Sequence, residues 1–301
     1  MSEKNKHAII GIHFLLVKVS ARRVAEDPGT SRREDHRPMS NNATRRIRSR
    51  IPALCIAVAL ATAAILSSPP HTAHAAKYDI IVPDGVLSQS MFKDLSEQIG
   101  LAVAYHPLAP AEPLGLLGFD IGVEVTAIDI DEGEPFWTAV NADLPSYLAF
   151  PKLHAQKGLP FGLDLGLVYT QVPSSNIGMW GAEVKWAILK GTIAAPALAL
   201  RGSYTTLLGV DTLDVSTYGA DLSISKGFGP FTPYAGIGQI AMNTSTSATS
   251  SAPGNPQLQD ESVSATHGFI GAKLSFLMLS FVAEADFAAT PTYGARLNLS
   301  F

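Results

Sequence analysis

From Thr292 to Phe301, apolar and polar positions alternate without a break. Tyr293, Ala295, Leu297, Leu299 and Phe301 fall on one side, Thr292, Gly294, Arg296, Asn298 and Ser300 on the other. A period of two residues is that of a β-strand with one apolar and one polar face. The pattern recurs upstream. Pro160 to Gln171 sets Phe161, Leu163, Leu165, Leu167 and Tyr169 against Gly162, Asp164, Gly166 and Thr170. Leu117 to Ala127 sets Leu117, Phe119, Ile121, Val123 and Val125 against Gly118, Asp120, Gly122, Glu124 and Thr126. Gly178 to Ile188 and Leu279 to Phe287 read the same way. Ten strands are predicted, at about 116–130, 146–156, 161–173, 177–190, 196–208, 213–226, 231–244, 262–276, 278–288 and 292–301. Gly, Pro, Asn or Asp punctuates them. The alternation blurs in 146–156 and 231–244.

Repeated alternation over about ten residues is the sequence signature of a transmembrane β-barrel, apolar outward and polar inward. The connections agree. Those around Phe276-Leu277, Gly227 to Pro230, Gly191 to Ala195 and Lys157 to Pro160 are short. The alternate set includes the polar stretches Ser245 to Glu261 and Asp131 to Pro145. Short turns at one end and long loops at the other are the barrel's usual asymmetry. A soluble β-sandwich shares the alternation, but it does not explain that asymmetry. Residues 76–115 break the pattern. Met91, Phe92, Leu95 and Ile99 sit at helical spacing, Ser88 suits an N-cap, and Gly100 is the predicted end. Leu101 to Tyr105 and a Pro-rich stretch follow. Either this segment is a helix that plugs the lumen or caps the periplasmic mouth of a ten-stranded barrel, or it adds a strand pair and the barrel has twelve.

Charge divides the chain. Residues 1–75 hold 12 Lys or Arg and 5 Asp or Glu, residues 76–301 hold 10 and 21, so +7 and -11 give the net -4. Arg45, Arg46, Arg48 and Arg50 precede the apolar run Ile51 to Leu66, and Ala73-His74-Ala75 is a small-x-small cleavage pattern. That arrangement is a secretory signal peptide at 39–75, with Ala73 and Ala75 as the small residues of the cleavage site and Ala76 as the new N-terminus. The run is too short for a comfortable membrane span. Residues 1–38 read as a leader or a misassigned start before Met39. Cys55, the only cysteine, leaves with the signal peptide. The domains expected are therefore a plug or periplasmic segment at 76–115 and a barrel at 116–301.

The polar face places Asp120, Glu124, Asp164, Glu183, Lys185, Arg201, Asp221, Lys273, Glu284, Asp286 and Arg296 in the lumen. A small barrel is nearly filled by its own side chains, and opposite charges there must pair. The bland reading is a structural polar core; the functional one is a narrow, charge-lined pore whose carboxylate excess prefers cations. His106, His154 and His267 survive cleavage. Ser264, His267 and Glu261 lie near one strand start, but residues three apart on a strand face opposite sides, against a Ser–His dyad. Asp129, Asp131, Glu132 and Glu134 read as a solvated loop rather than a calcium site. No cofactor fingerprint and no metal motif occurs. Gly236-Ile237-Gly238 sits within a strand, and an acidic mature chain is a poor nucleic-acid partner. Trp180, Tyr147, Tyr169, Tyr204, Tyr218, Tyr234 and Tyr293 are placed as interfacial girdle residues.

The closing strand, with Tyr293, Leu297, Leu299 and terminal Phe301, resembles the C-terminal assembly signal of Gram-negative outer-membrane β-barrels. Over residues 76–301 the chain is similar to the small OmpA- or OmpW-like size class. The resemblance implies an outer-membrane location. It also implies outer-membrane lipid as the surroundings, and barrel assembly machinery and periplasmic chaperones as partners during biogenesis. A structural or surface barrel is the reading, with a narrow passive channel and a lipid-modifying enzyme behind it. Leu165→Arg, on the lipid face, is expected to cost about 2–4 kcal/mol in bilayer refolding equilibria, and Asp164→Asn, facing inward, much less.

Overall fold

The computed structural model describes residues 78–300, except 142–143, 173–174 and 255. The leader, Ala73, Ala75 and Phe301 lie outside the described residues. Ten strands form one closed antiparallel barrel, not a sandwich and not a twelve-stranded wall. They are β1 (Phe119–Asp129), β2 (Tyr147–Gly158), β3 (Leu163–Gln171), β4 (Gly178–Lys190) and β5 (Ala197–Leu208). There follow β6 (Asp214–Ser225), β7 (Phe231–Ser245), β8 (Glu261–Phe276), β9 (Leu279–Phe287) and β10 (Thr292–Ser300). Each strand pairs with its chain neighbours, and β1 closes on β10, with Glu124 opposite Arg296 and Val125 opposite Ala295. Closure leaves no unpaired edge, which is what a sheet in hydrocarbon needs.

The period of two decides what each strand buries. In β3, Asp164, Gly166, Val168 and Thr170 are buried while Leu165, Leu167 and Tyr169 are exposed. In β4, Trp180, Val184, Trp186 and Ile188 face out. From Trp180 to Ile188 the strand runs about 26 Å, or roughly 20 Å along the axis at the usual tilt. Tyr147, Tyr169, Trp180, Tyr218 and Tyr293 are exposed toward one end and Phe161, Trp186, Phe228 and Phe276 toward the other. Tyr204 packs between Trp180 and Tyr218, at ring separations of 5.6 and 5.1 Å. Tyr234 corrects the girdle reading, since it is buried in the lumen against Phe269.

Strand register fixes the two ends. Asp120, Gln156 and Ser300 are at the same end, which carries the short turns after β2, β4, β6 and β8. The loops after β1 and β7 stand at the opposite end, the first with a short helix, α2 (Pro135–Val140). The β2–β3 turn uses positive φ at Phe161 and Gly162, 65° and 80°.

The helix called α1 spans Gln89–Val103, with the Ser88 hydroxyl accepting from the Met91 N–H as its N-cap. It does not stop at Gly100. A Cβ there would lie 2.5 Å from Met242 Sδ, so this glycine marks close packing against β7 rather than a helix end. α1 lies inside the barrel at the long-loop end. Phe92, Leu95 and Ile99 pack into a buried cluster that includes Ile128, Phe150, Val168, Met179, Val215, Ile240 and Met242 from the wall. Fully burying each such side chain is worth about 1.5–3 kcal/mol. The same packing explains the blurred alternation of β2 and β7. Their inward faces turn apolar, at Leu148, Phe150, Ile240 and Met242, where they meet the helix rather than the charges.

Candidate functional site

Beyond α1 the lumen is polar. Asp120, Glu124, Asp164, Glu183, Lys185, Arg201, Asp221, Glu284, Asp286 and Arg296 are all buried. Lys273 is the exception among the charges read from sequence: half-buried at the short-turn rim, it forms no ion pair among the described residues. Four groups were not placed there by the sequence. Lys152, His154, Gln156 and His267 are buried in the same space. His267 is a lumen residue near mid-strand, not a loop histidine; its Nδ1 lies 2.7 Å from Asp286 Oδ2. Counting inward positions of β2 from Lys152 to Gln156 would have found three of them. The apolar start of that strand hid the period.

The charges form neighbouring pairs around the wall. Arg296 Nε donates to Glu124 Oε2 at 2.8 Å, and Lys152 Nζ stands 3.7 Å from Glu124 Oε1. Arg201 bridges Glu183 at 2.8 Å and Asp221 at 3.8 Å. Lys185 pairs with Asp164 at 3.1 Å. Glu124 stands directly opposite both Arg296 and Lys152, Asp164 opposite Lys185 and Arg201 opposite Asp221, while Arg201 reaches Glu183 diagonally, since Ser203 is the residue opposite Glu183. His154 Nδ1 is 4.0 Å from Asp120 Oδ1, whose other oxygen accepts from the Ser300 hydroxyl at 2.7 Å.

What fills the middle is the chain itself. After α1, residues 104–116 run as an irregular strap down the lumen, with Ala104, Tyr105, His106, Leu108, Ala109 and Ala111 buried. Such a stretch has no backbone ladder, so its polar groups need other partners. The wall supplies them in descending order. Thr205 Oγ1 donates to the Val103 carbonyl at 2.8 Å, and Arg296 Nη2 to the Pro107 carbonyl at 3.3 Å. Glu284 Oε2 accepts from the Leu108 N–H at 3.0 Å and the Tyr234 hydroxyl at 2.8 Å. Lys185 Nζ donates to the carbonyls of Pro110 and Glu112 at 3.1 and 3.0 Å. Asp164 accepts from the Leu114 N–H at 3.1 Å. The prolines suit the task, since a proline in a strap lacks the N–H that would need a partner.

Ser264 is exposed on the outer face and His267 buried on the inner, so the two are separated by the wall. Asp131 Oδ1 accepts from the Gly133 N–H within its own loop. Glu132, fully solvated, is held below the ordinary carboxylate range by its own backbone N–H and by the Ser146 hydroxyl. No group of three or more acidic, His or Cys side chains suited to a metal occurs among the described residues.

No protein family and no curated protein matches the chain. Among solved structures it is similar to Neisserial surface protein A, at 7% identity over 60% of this chain and 95% of that one, with a TM-score of 0.27. It is also similar to Ail, the attachment invasion locus protein of Yersinia pestis, solved with the heparin analogue sucrose octasulfate. There the identity is 11% over 61% and 97% of the two chains, and the TM-score is 0.25. At these TM-scores the likeness adds nothing to what the strand pairing shows directly.

The strap changes one expectation. Asp164 is not a tolerant inward position, because it holds both Lys185 and the strap. Asp164→Asn leaves a buried lysine without its counter-charge and should cost about 3–5 kcal/mol. Lys273→Gln should stay within about 0.5 kcal/mol of the parent. Urea unfolding of both variants in lipid vesicles measures the difference, and equal costs would contradict the assignment.

Proposed function

We propose that this chain is an outer-membrane β-barrel of a Gram-negative bacterium with a structural or surface role, its lumen closed by its own N-terminal segment. The observation that carries the reading is the strap, tied to Arg296, Glu284, Lys185 and Asp164 from β10, β9, β4 and β3. The closed wall, its apolar outer belt and the aromatics toward both ends support a bilayer location. The arginine-rich leader supports export. On this reading the surroundings are outer-membrane lipid, the short-turn end is periplasmic, and assembly machinery and chaperones act only during biogenesis. No catalytic role is assigned to Ser264 or His267.

A second reading has one observation in its favour. Among the described residues, seven buried carboxylates face four buried Lys and Arg side chains in the lumen, so an emptied lumen would prefer cations. Conduction would require the strap to leave. Planar-bilayer recording of refolded protein, paired with a heat-modifiability gel shift, separates the two. The expected result is a shift with a silent bilayer. Steady cation-selective openings would instead favour the channel.

A further inference from the structure

The chain preceding α1 does not emerge at the short-turn end. It is stitched across the long loops. Ile80 N–H donates to Asn176 Oδ1 at 3.0 Å and Asn176 Nδ2 returns a bond to the Ile80 carbonyl at 2.9 Å. Ser175 Oγ donates to the Tyr78 carbonyl at 2.8 Å. Val82 N–H donates to Thr212 Oγ1 at 3.1 Å. Gly85 N–H donates to the Thr249 carbonyl, and Ser251 N–H to the Leu87 carbonyl, each at 2.9 Å. Asn176, Thr212 and Thr249 belong to three different connections, after β3, β5 and β7, all at the long-loop end. Gln89, the first residue of α1, exchanges bonds of 2.9 Å with the backbone of Gln259.

From there the path runs one way. α1 fills the upper lumen, and Trp137 of α2 donates to its Gln98 at 2.7 Å. The strap then meets Thr205, Arg296, Lys185 and Asp164 in turn. At the far end Gly115 lies directly against Gly158, where a Cβ would collide with its carbonyl, and Lys157 Nζ donates to the Leu116 carbonyl at 2.8 Å. Residues 103 to 115 extended reach up to about 40 Å, enough to cross the roughly 25 Å apolar band of such a barrel. The chain then turns and enters β1.

We infer that this protein crosses the membrane once more than its strands do, through its own lumen, and displays the segment from Tyr78 to Ser88 on the cell surface. The inference rests on the outer-membrane reading above. The barrel is then a holder that presents its N-terminal segment among its surface loops, with Ile81 and Val86 solvent-exposed there. Display also sets an order of assembly. A helix about 10–12 Å across with its side chains fills this lumen, so α1 enters before β1 closes on β10.

Single cysteines in a Cys55→Ala background test this with a membrane-impermeant maleimide on intact cells. Val86→Cys and Ile81→Cys probe the N-terminal segment, Ala252→Cys the β7–β8 loop and Ile193→Cys the β4–β5 turn. The heat-modifiability shift confirms that each variant has folded, and two N-terminal positions guard against one failing. The expected pattern is labelling at Val86 and Ile81 as strong as at Ala252, with Ile193 labelled only after the outer membrane is permeabilised. Labelling at Val86 and Ile81 that behaves like Ile193, with Ala252 still labelled in intact cells, overturns the display and leaves the barrel reading standing. Ala252 silent, or Ile193 labelled, in intact cells overturns the location on which the inference rests.

Discussion

Charges buried in a closed wall have nowhere to go, and most of this structure follows from that. Ten strands whose outward faces are apolar leave their polar residues inside, where each ion loses several kcal/mol of hydration. Arg296 with Glu124, Arg201 with Glu183 and Asp221, and Lys185 with Asp164 offset part of that loss by pairing across adjacent strands. Pairing alone leaves donor and acceptor sites unfilled, because an ammonium has three donors and a carboxylate about four acceptor sites. The strap fills several of them. Lys185 spends its remaining donors on two strap carbonyls, and Glu284 and Asp164 accept strap N–H groups. The wall's charges and the strap's irregular backbone each need the other.

The lumen is therefore built in two chemistries. Near the long loops it is apolar, and α1 docks there as a helix does in any core. Near the short turns it is charged, and a helix with satisfied backbone groups could not serve the wall's lysines and carboxylates. An extended, proline-rich strap with open carbonyls does. The change from helix to strap at Ala104 falls where the wall changes from Met242 and Val168 to Arg201 and Glu124.

The strand positions were legible because two-residue alternation is set by the wall itself, and every outward position meets the same apolar surroundings. Legibility failed where the lumen is not uniformly polar. β2 begins with inward Leu148 and Phe150, so Lys152 and His154 went unread. A tyrosine near a strand end reads the same on either face, so sequence does not separate the lumen residue Tyr234 from the interfacial tyrosines. Gly100 looked like a helix end because sequence does not reveal that Met242 packs against it. The direction of the N-terminal segment was not legible either. Nothing local in residues 78–88 distinguishes a periplasmic mouth from a loop surface, and the hydrogen bonds to Asn176, Thr212 and Thr249 are contacts between distant residues.

Everything above depends on the strap occupying the lumen of the folded barrel. Ala111 on the strap packs with Ala197 and Ala199 of β5 in a buried cluster. The most direct measurement is a thiol crosslink in protein carrying Ala111→Cys, Ala199→Cys and Cys55→Ala, with a short bifunctional reagent applied to the refolded barrel in detergent. The expected result is an intramolecular crosslink in the heat-modifiable form that is lost when the sample is denatured before treatment. A folded barrel that shows the gel shift yet yields no crosslink would contradict it.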